Sequence, residues 1–227
     1  MLSGLISGEH LAALLTTAAF AAVLAALPRH LSATRTLVVG RALAVVLILD
    51  ELGWWADLVY GHQRLELAYS LPLQLCDMTI LVAAAALWSR APLLIEVTYF
   101  WGLAGSVQGL LTPDLPDRFP SFLFFQYYIA HGGVVAAALF LVVGSRLHPR
   151  PGSFWRVSTI TVAYTAVVGV VDILTGGNYM YLRAKPPTPT ALDLLGPWPQ
   201  YLAGAAAIGL VLLLLLDAPF RIFRRRT

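Results

Sequence analysis

Residues able to do covalent or proton-transfer chemistry are sparse in this 227-residue chain, and the most distinctive is Cys76, its one cysteine. It stands in Ser70-Leu71-Pro72-Leu73-Gln74-Leu75-Cys76-Asp77, where an apolar helix begins. A thiol there is either a reactive group or a small packing residue. His131, followed by Gly132-Gly133, reads as a functional imidazole or as a hydrogen-bonded core histidine where helices approach closely. Asp50, Glu51, Asp77 and Asp172 lie in or beside apolar runs. One cysteine excludes an intrachain disulfide and a Cys-based zinc or iron–sulfur cluster. His10, His30, His62, His131 and His148 lack metal-ligand spacing. No glycine-rich phosphate loop and no G-x-S-x-G elbow occurs, so neither a metal nor a cofactor is expected.

The solvent around these groups decides what they can do. With 59% hydrophobic and 12% charged residues and a mean hydropathy of +0.75, the chain is far more apolar than a soluble domain. It is expected to be an all-α, polytopic transmembrane bundle of about seven helices, forming a single domain over residues 1–227. The apolar runs are His10–Leu27, Thr36–Tyr60, Leu71–Trp88, a fourth from Pro92 to near Leu111, Ser121–Gly144, Phe154–Leu174 and Gln200–Leu216. The first has no basic flank before it and reads as a retained span rather than a cleaved signal. In the third, Ser70 reads as the N-cap, with Pro72 tolerated in the first turn. Thr112-Pro113-Asp114-Leu115-Pro116-Asp117-Arg118-Phe119-Pro120 and Thr175–Pro199 read as loops.

Seven spans put the termini on opposite sides. The connections after spans one, three and five, with the tail, carry ten basic residues: Arg29, Arg35, Arg90, Arg146, Arg150, Arg156, Arg221, Arg224, Arg225 and Arg226. The other side carries four, Arg64, Arg118, Arg183 and Lys185, and Arg41 is left over just inside the second span. This bias predicts a cell-membrane protein with its amino terminus outside and its carboxyl terminus in the cytoplasm. The basic residues form no stripe interleaved with aromatics, so the expected partners are membrane lipids and not nucleic acid.

Orientation gives the polar groups depths. Asp50, Glu51 and Asp57 fall in the outer half of span two, and Cys76 and Asp77 about 7–10 Å below the outer end of span three. Ser106 and Gln108 come to a similar level, His131 lies about 15 Å in, and Asp172 near the outer end of span six. The inner halves are nearly bare, with Arg41 and Asp217 placed to snorkel and Glu96 near the start of span four. Ionisable groups inside a membrane cost several kcal/mol unless they face a cavity or one another, so this asymmetry predicts a polar pocket open to the outside. Gly102, Gly105, Ser106 and Gly109 give small-xxx-small packing spacings. Trp54, Trp55, Tyr179, Tyr181 and Trp198 read as an interfacial aromatic belt. A retinal Schiff base is excluded, because the one lysine, Lys185, falls in a loop.

Three blocks resemble the YwaF-type integral membrane proteins. They are Leu71-Pro72-Leu73-Gln74-Leu75-Cys76-Asp77; Trp101-Gly102-Leu103, Gln108-Gly109, Thr112-Pro113-Asp114-Leu115, Phe119-Pro120 and His131-Gly132-Gly133; and Asn178-Tyr179-Met180-Tyr181-Leu182, Lys185-Pro186 and Gly196-Pro197-Trp198-Pro199. Gln74 stands where that pattern commonly has His. The resemblance implies kinship to animal phospholipid acyltransferases that use a Cys and a His, which by motif are Cys76 and His131. A free thiol needs a base, and His131 would take its proton. Cys76 would then attack a phospholipid ester, hold the acyl group as a thioester and pass it to a lysophospholipid. Gln108 or Asn178 would donate to the oxyanion, because a helix starting near Ser70 leaves the Cys76 amide beyond the first turn. Arg183 and Lys185 would meet a lipid phosphate, and Asp50, Glu51, Asp77 and Asp172 would line the pocket. Two alternatives stay open: a lipid-ester hydrolase on the same dyad, and a transporter or ligand-binding protein using the carboxylates.

Overall fold

The computed structural model describes residues 7–61, 66–113, 115, 117–186 and 190–224, all helix and loop. His62, Arg64, Asp114, Pro116, Arg225 and Arg226, used in the reading above, lie outside the described residues. Seven long helical rods follow in order: α1 Gly8–Ala26, α2 Ala33–Tyr60, α3 Leu75–Ser89, α4, α5, α6 Ser153–Thr175 and α7 Gln200–Arg224. The α4 rod is Pro92–Trp101 continued through a wide π turn, Gly102–Ser106, into Val107–Leu111. The α5 rod is Phe122–Leu139 and closes on a second π turn, Phe140–Gly144.

Local chemistry starts these helices where water begins. Ser7, Ser32 and Ser121 sit in extended backbone before α1, α2 and α5, and each hydroxyl accepts a first-turn amide, from His10, Arg35 and Phe124. Pro92 occupies the first turn of α4, where its missing N–H is no loss. Four rods, α1, α5, α6 and α7, are long and apolar enough to cross a membrane. The 28 residues of α2 reach about 42 Å, long enough as well, with Arg35 and Arg41 toward its start and Asp50, Glu51 and Asp57 in its second half.

The bundle is organised around α5, which packs against α1, α2, α3 and α4, while α6 and α7 form an outer pair. Small residues make that central position available: Ala130, Ala136, Ala137 and Ala138 are fully or nearly fully buried. At Gly133 a Cβ would come within 2.7 Å of the Leu47 side chain, so glycine gives that leucine its place between α2 and α5. Phe100, Val134, Leu47, Ala83 and Phe140 complete the core.

The structure corrects the expected start of α3. Ser70 is no N-cap; its hydroxyl accepts the amide of Glu66, and the helix begins four residues later at Leu75, after Gln74. Pro72 disfavours helical backbone at Leu71. The non-helical segment Leu71–Gln74 is instead held by distant tyrosines, with the Leu71 amide donating to the Tyr179 hydroxyl at 2.8 Å and the Tyr164 hydroxyl donating to the Leu73 carbonyl at 3.0 Å. Thus α3, at 15 residues, is only about 22 Å long against a hydrocarbon core of about 30 Å. Non-helical backbone at such depth is tolerated only when protein groups satisfy it, as these hydroxyls do.

The opposite, arginine-rich end also differs from expectation. Glu96 lies near the start of α4, as expected, and is 1% exposed. Its carboxylate accepts from Arg150 Nε at 2.8 Å and from Arg156 Nη2 at 2.7 Å, tying α4 to the α5–α6 connection and to α6. Asp217, 3% exposed, does not snorkel; it is held by the Ser153 hydroxyl and by Arg221. Arg41 does reach outward, stacking over Trp88 at 5.1 Å.

Candidate functional site

Cys76 is the second residue of α3, and this placement follows directly from the late start of the helix. The first-turn amides of a helix have no intrahelical acceptor, so the Leu75 and Cys76 N–H groups are available to an incoming oxyanion. This corrects the expectation that the Cys76 amide lies beyond the first turn. It also moves Cys76 from two turns inside its helix to the helix mouth.

His131 lies halfway along α5 and is oriented from its own helix. Its Nδ1 is 2.9 Å from the carbonyl of Tyr127, one turn earlier, and the two rings stack at 4.1 Å with an interplanar angle of 26°. A carbonyl only accepts, so Nδ1 carries the proton and Nε2 keeps its lone pair. Tyr127 is fixed in turn, because its hydroxyl donates to the Gly109 carbonyl at 2.8 Å.

The α4 rod provides a common ruler for the two groups. A Cβ built on Gly105 would meet the side chain of Leu75 at 3.5 Å, while one on Gly109 would meet the His131 ring at 2.8 Å. Four residues of helix are about 6 Å, so the mouth of α3 and the His131 ring lie about one turn apart along one rod. The Leu75 contact lies nearer the start of α4 than the His131 contact, so His131 does not lie below the mouth of α3 as helix counting places it. Neither Cys76 nor His131 hydrogen-bonds the other among the described residues. Gly109 leaves room for the imidazole edge, which gives a direct test. Gly109→Ala should displace the ring and lower any His131-dependent activity about tenfold or more, with a melting temperature within a few degrees of wild type. Full activity in that variant would show that the ring position is not demanding.

The carboxylates divide into two groups. Asp50 and Glu51 are at the expected end of α2; Asp50 Oδ2 accepts from Gln126 on α5 at 3.2 Å, and Glu51 Oε1 from Trp55 at 3.2 Å. Asp77 is within electrostatic reach of Glu51, Tyr164 and Tyr179, so these groups belong to one polar region beside the mouth of α3. Asp172 belongs to the second group. It is fully buried, and its Oδ1 accepts the amide of Tyr179 at 2.8 Å.

Several expected ligand-binding groups are engaged in holding the loop after α6. The side chain of Asn178 donates to the Ala184 carbonyl and accepts the amides of Arg183 and Ala184, so its own loop uses it rather than an oxyanion. Arg183 donates to the carbonyls of Asp172 and Gly177. Lys185 pairs with Asp193 at 3.5 Å and lies over the Tyr201 ring. Gln108 is on an exposed face of α4, about 100° round from Gly109. Tyr179 is not a belt residue: it is 2% exposed and its hydroxyl also donates to the Leu67 carbonyl. Gln74 gains a definite role, since its Oε1 accepts the amide of Met180 at 2.8 Å. A histidine ring nitrogen can accept in the same way, which makes Gln an intelligible replacement there.

Sequence reasoning missed Gln126, Tyr127, Tyr164 and the hydrogen bond between His10 and the Tyr128 hydroxyl. Only Tyr127 carried a signal, standing one helical turn before His131. No group of three or more His, Cys, Asp or Glu residues suited to a metal is found among the described residues.

No curated protein and no solved structure matches this chain. A family model does, over residues 5–217, a range that takes in α3, the His131 region and the Tyr179 loop alike. By that match the chain belongs to the TMEM164 family, a family of membrane proteins.

Proposed function

We propose that this protein transfers a fatty acyl group between a phospholipid and a lysophospholipid, with Cys76 as nucleophile and His131 as base. The observation that carries the reading is the position of Cys76 in the first turn of α3, with a non-helical segment before it. Nucleophile and oxyanion donors are then neighbours. The His131 ring, with Nε2 unprotonated, stands about one turn away along α4. Kinship to the YwaF-type proteins, supported by the three motif blocks, belongs to the same proposal.

In the first step Nε2 of His131 takes the thiol proton and the sulfur bonds to the ester carbonyl carbon. The carbon–oxygen bond then breaks, and the departing lysophospholipid oxygen receives the proton from His131, leaving an acyl-thioester. In the second step His131 takes the proton of an acceptor lysophospholipid hydroxyl, whose oxygen attacks the thioester. The carbon–sulfur bond breaks and the proton returns to sulfur. With water as acceptor the same steps would hydrolyse the ester. Incubating purified protein with labelled phospholipid and mapping Cys76 by mass spectrometry tests the reading. An acyl adduct on Cys76 that is discharged by lysophospholipid supports it, discharge by water alone favours the hydrolase, and no adduct overturns both.

A transporter is the second reading, favoured by the polar region of Asp50, Glu51, Asp77 and Gln126 beside the helix mouth. Both readings share one orientation, amino terminus outside and carboxyl terminus cytoplasmic, motivated by the ten-to-four arginine and lysine asymmetry. In a Cys76→Ser background, an impermeant thiol reagent on intact cells should label Ser3→Cys and spare Thr227→Cys. The reverse pattern would invert the orientation.

A further inference from the structure

Two groups of arginines stand at the end of the bundle away from Cys76. Arg150, Arg156 and Arg221 are paired with Glu96 or Asp217. Arg29, Arg90 and Arg146 carry no ion pair among the described residues, and they converge on one cavity of about 420 Å³. It opens between the ends of α1, α3 and α5 and the start of α2, and no carboxylate among the described residues lines it. Its polar lining includes Thr36 and Ser145, and the Ser145 hydroxyl is buried without a hydrogen-bond partner.

Backbone geometry adds a second, independent observation. Arg90 and Arg146 both have left-handed backbone, at φ 54° and 56°. Each follows the end of a helical segment, α3 or the π turn of α5, where glycine is the usual residue because it has no Cβ to clash. An arginine in that conformation is strained. A helix C-terminus welcomes a cation, but that preference needs neither a cavity nor a third arginine. Three arginines and a buried hydroxyl without a partner around one polar cavity suit an anionic group.

We propose that this cavity binds a phosphate group, held by the guanidinium groups of Arg29, Arg90 and Arg146 with the Ser145 hydroxyl as an additional donor. Guanidinium forks match phosphate oxygens two at a time, and buried hydroxyls complete such sites. The phosphate is either a lipid headgroup reaching in from the bilayer or a free ion from solution. Its site is separate from Cys76, so it stands or falls independently of acyl transfer.

The test uses full-length protein in nanodiscs of phosphatidylcholine, with inorganic phosphate added in one arm and phosphatidic acid mixed into the lipid in the other. Readouts are the melting temperature and lipid retention by native mass spectrometry. Wild type should be stabilised in at least one arm: stabilisation by phosphatidic acid alone identifies a headgroup, and by inorganic phosphate a dissolved ion. Arg90→Gly with Arg146→Gly removes two charges while relieving the backbone, so the protein should melt no lower in plain phosphatidylcholine yet bind about tenfold more weakly for each arginine lost. Arg29→Gln, at an ordinary backbone position, should weaken binding by a similar factor and serves if the double variant fails to fold. Arg35→Gln, outside the cavity, should bind as wild type. Stabilisation in neither arm, undiminished binding in the cavity variants, or an equal loss in Arg35→Gln would each overturn the proposal.

Discussion

Cys76→Ser should lower acyl transfer between labelled phospholipid and lysophospholipid by a thousandfold or more, on the order of losses seen when a catalytic nucleophile is removed. Expression and melting temperature should stay near wild type. Serine keeps the shape of the side chain and its place in the first turn of α3, so the neighbouring amides and the His131 ring remain where they are. Only the nucleophile is weakened. A cysteine that merely packs predicts the opposite pattern, a small loss of stability and no loss of turnover. His131→Ala should also abolish the acyl-thioester, because the base is needed to form it. Asp77→Asn should do less: adjacent helical residues point about 100° apart, so Asp77 does not share the face of Cys76. Unchanged turnover in purified Cys76→Ser would remove the enzyme reading and leave transport in front.

The span pattern was legible because a bilayer imposes it. Apolar runs of about twenty residues ended within a few residues of the observed helices, except that α7 continues eight residues past Leu216 to Arg224. What hydropathy could not reveal was where helix gives way to other backbone inside the apolar layer. Leu71–Leu75 is as apolar as the helix that follows, and Pro72 is acceptable in a first turn, so no local signal placed the break at Gln74. The break depends on Tyr164, Tyr179 and Met180, which are 91 to 108 residues away. The same holds for Glu96, whose arginine partners are 54 and 60 residues distant. The π turn at Gly102–Ser106 is a further case, since its glycines read equally well as ordinary packing positions.

The contacts of Tyr164, Tyr179 and Met180 bear on chemistry because they hold the segment before α3 and so its start. A helix from Ser70 would have buried the Cys76 amide in its own ladder. Ending the extended segment at Gln74 leaves the same residue at a helix mouth, and the α4 rod then sets its distance from His131. The position of Cys76 therefore depends on the loop after α6, whose own anchor is Asp172.

Asp172→Ala should consequently cost about 2–3 kcal/mol of stability, the scale for deleting a buried acceptor that leaves its donor unpaired. Asp172 holds the Tyr179 amide, Tyr179 holds the Leu71 amide and the Leu67 carbonyl, and Gln74 holds Met180 in the same loop. Releasing the first link frees the loop and with it the segment that sets the start of α3, so turnover should fall along with the melting temperature. Asp172→Asn retains the Oδ1 acceptor and should recover most of the stability. Tyr179→Phe separates folding from positioning: the ring still fills its buried site, while the hydroxyl that fixes Leu71 is gone, so turnover should fall more steeply than stability. Equal melting temperatures for Asp172→Ala and wild type, or full activity in Tyr179→Phe, would show that the mouth of α3 is held by something other than this loop.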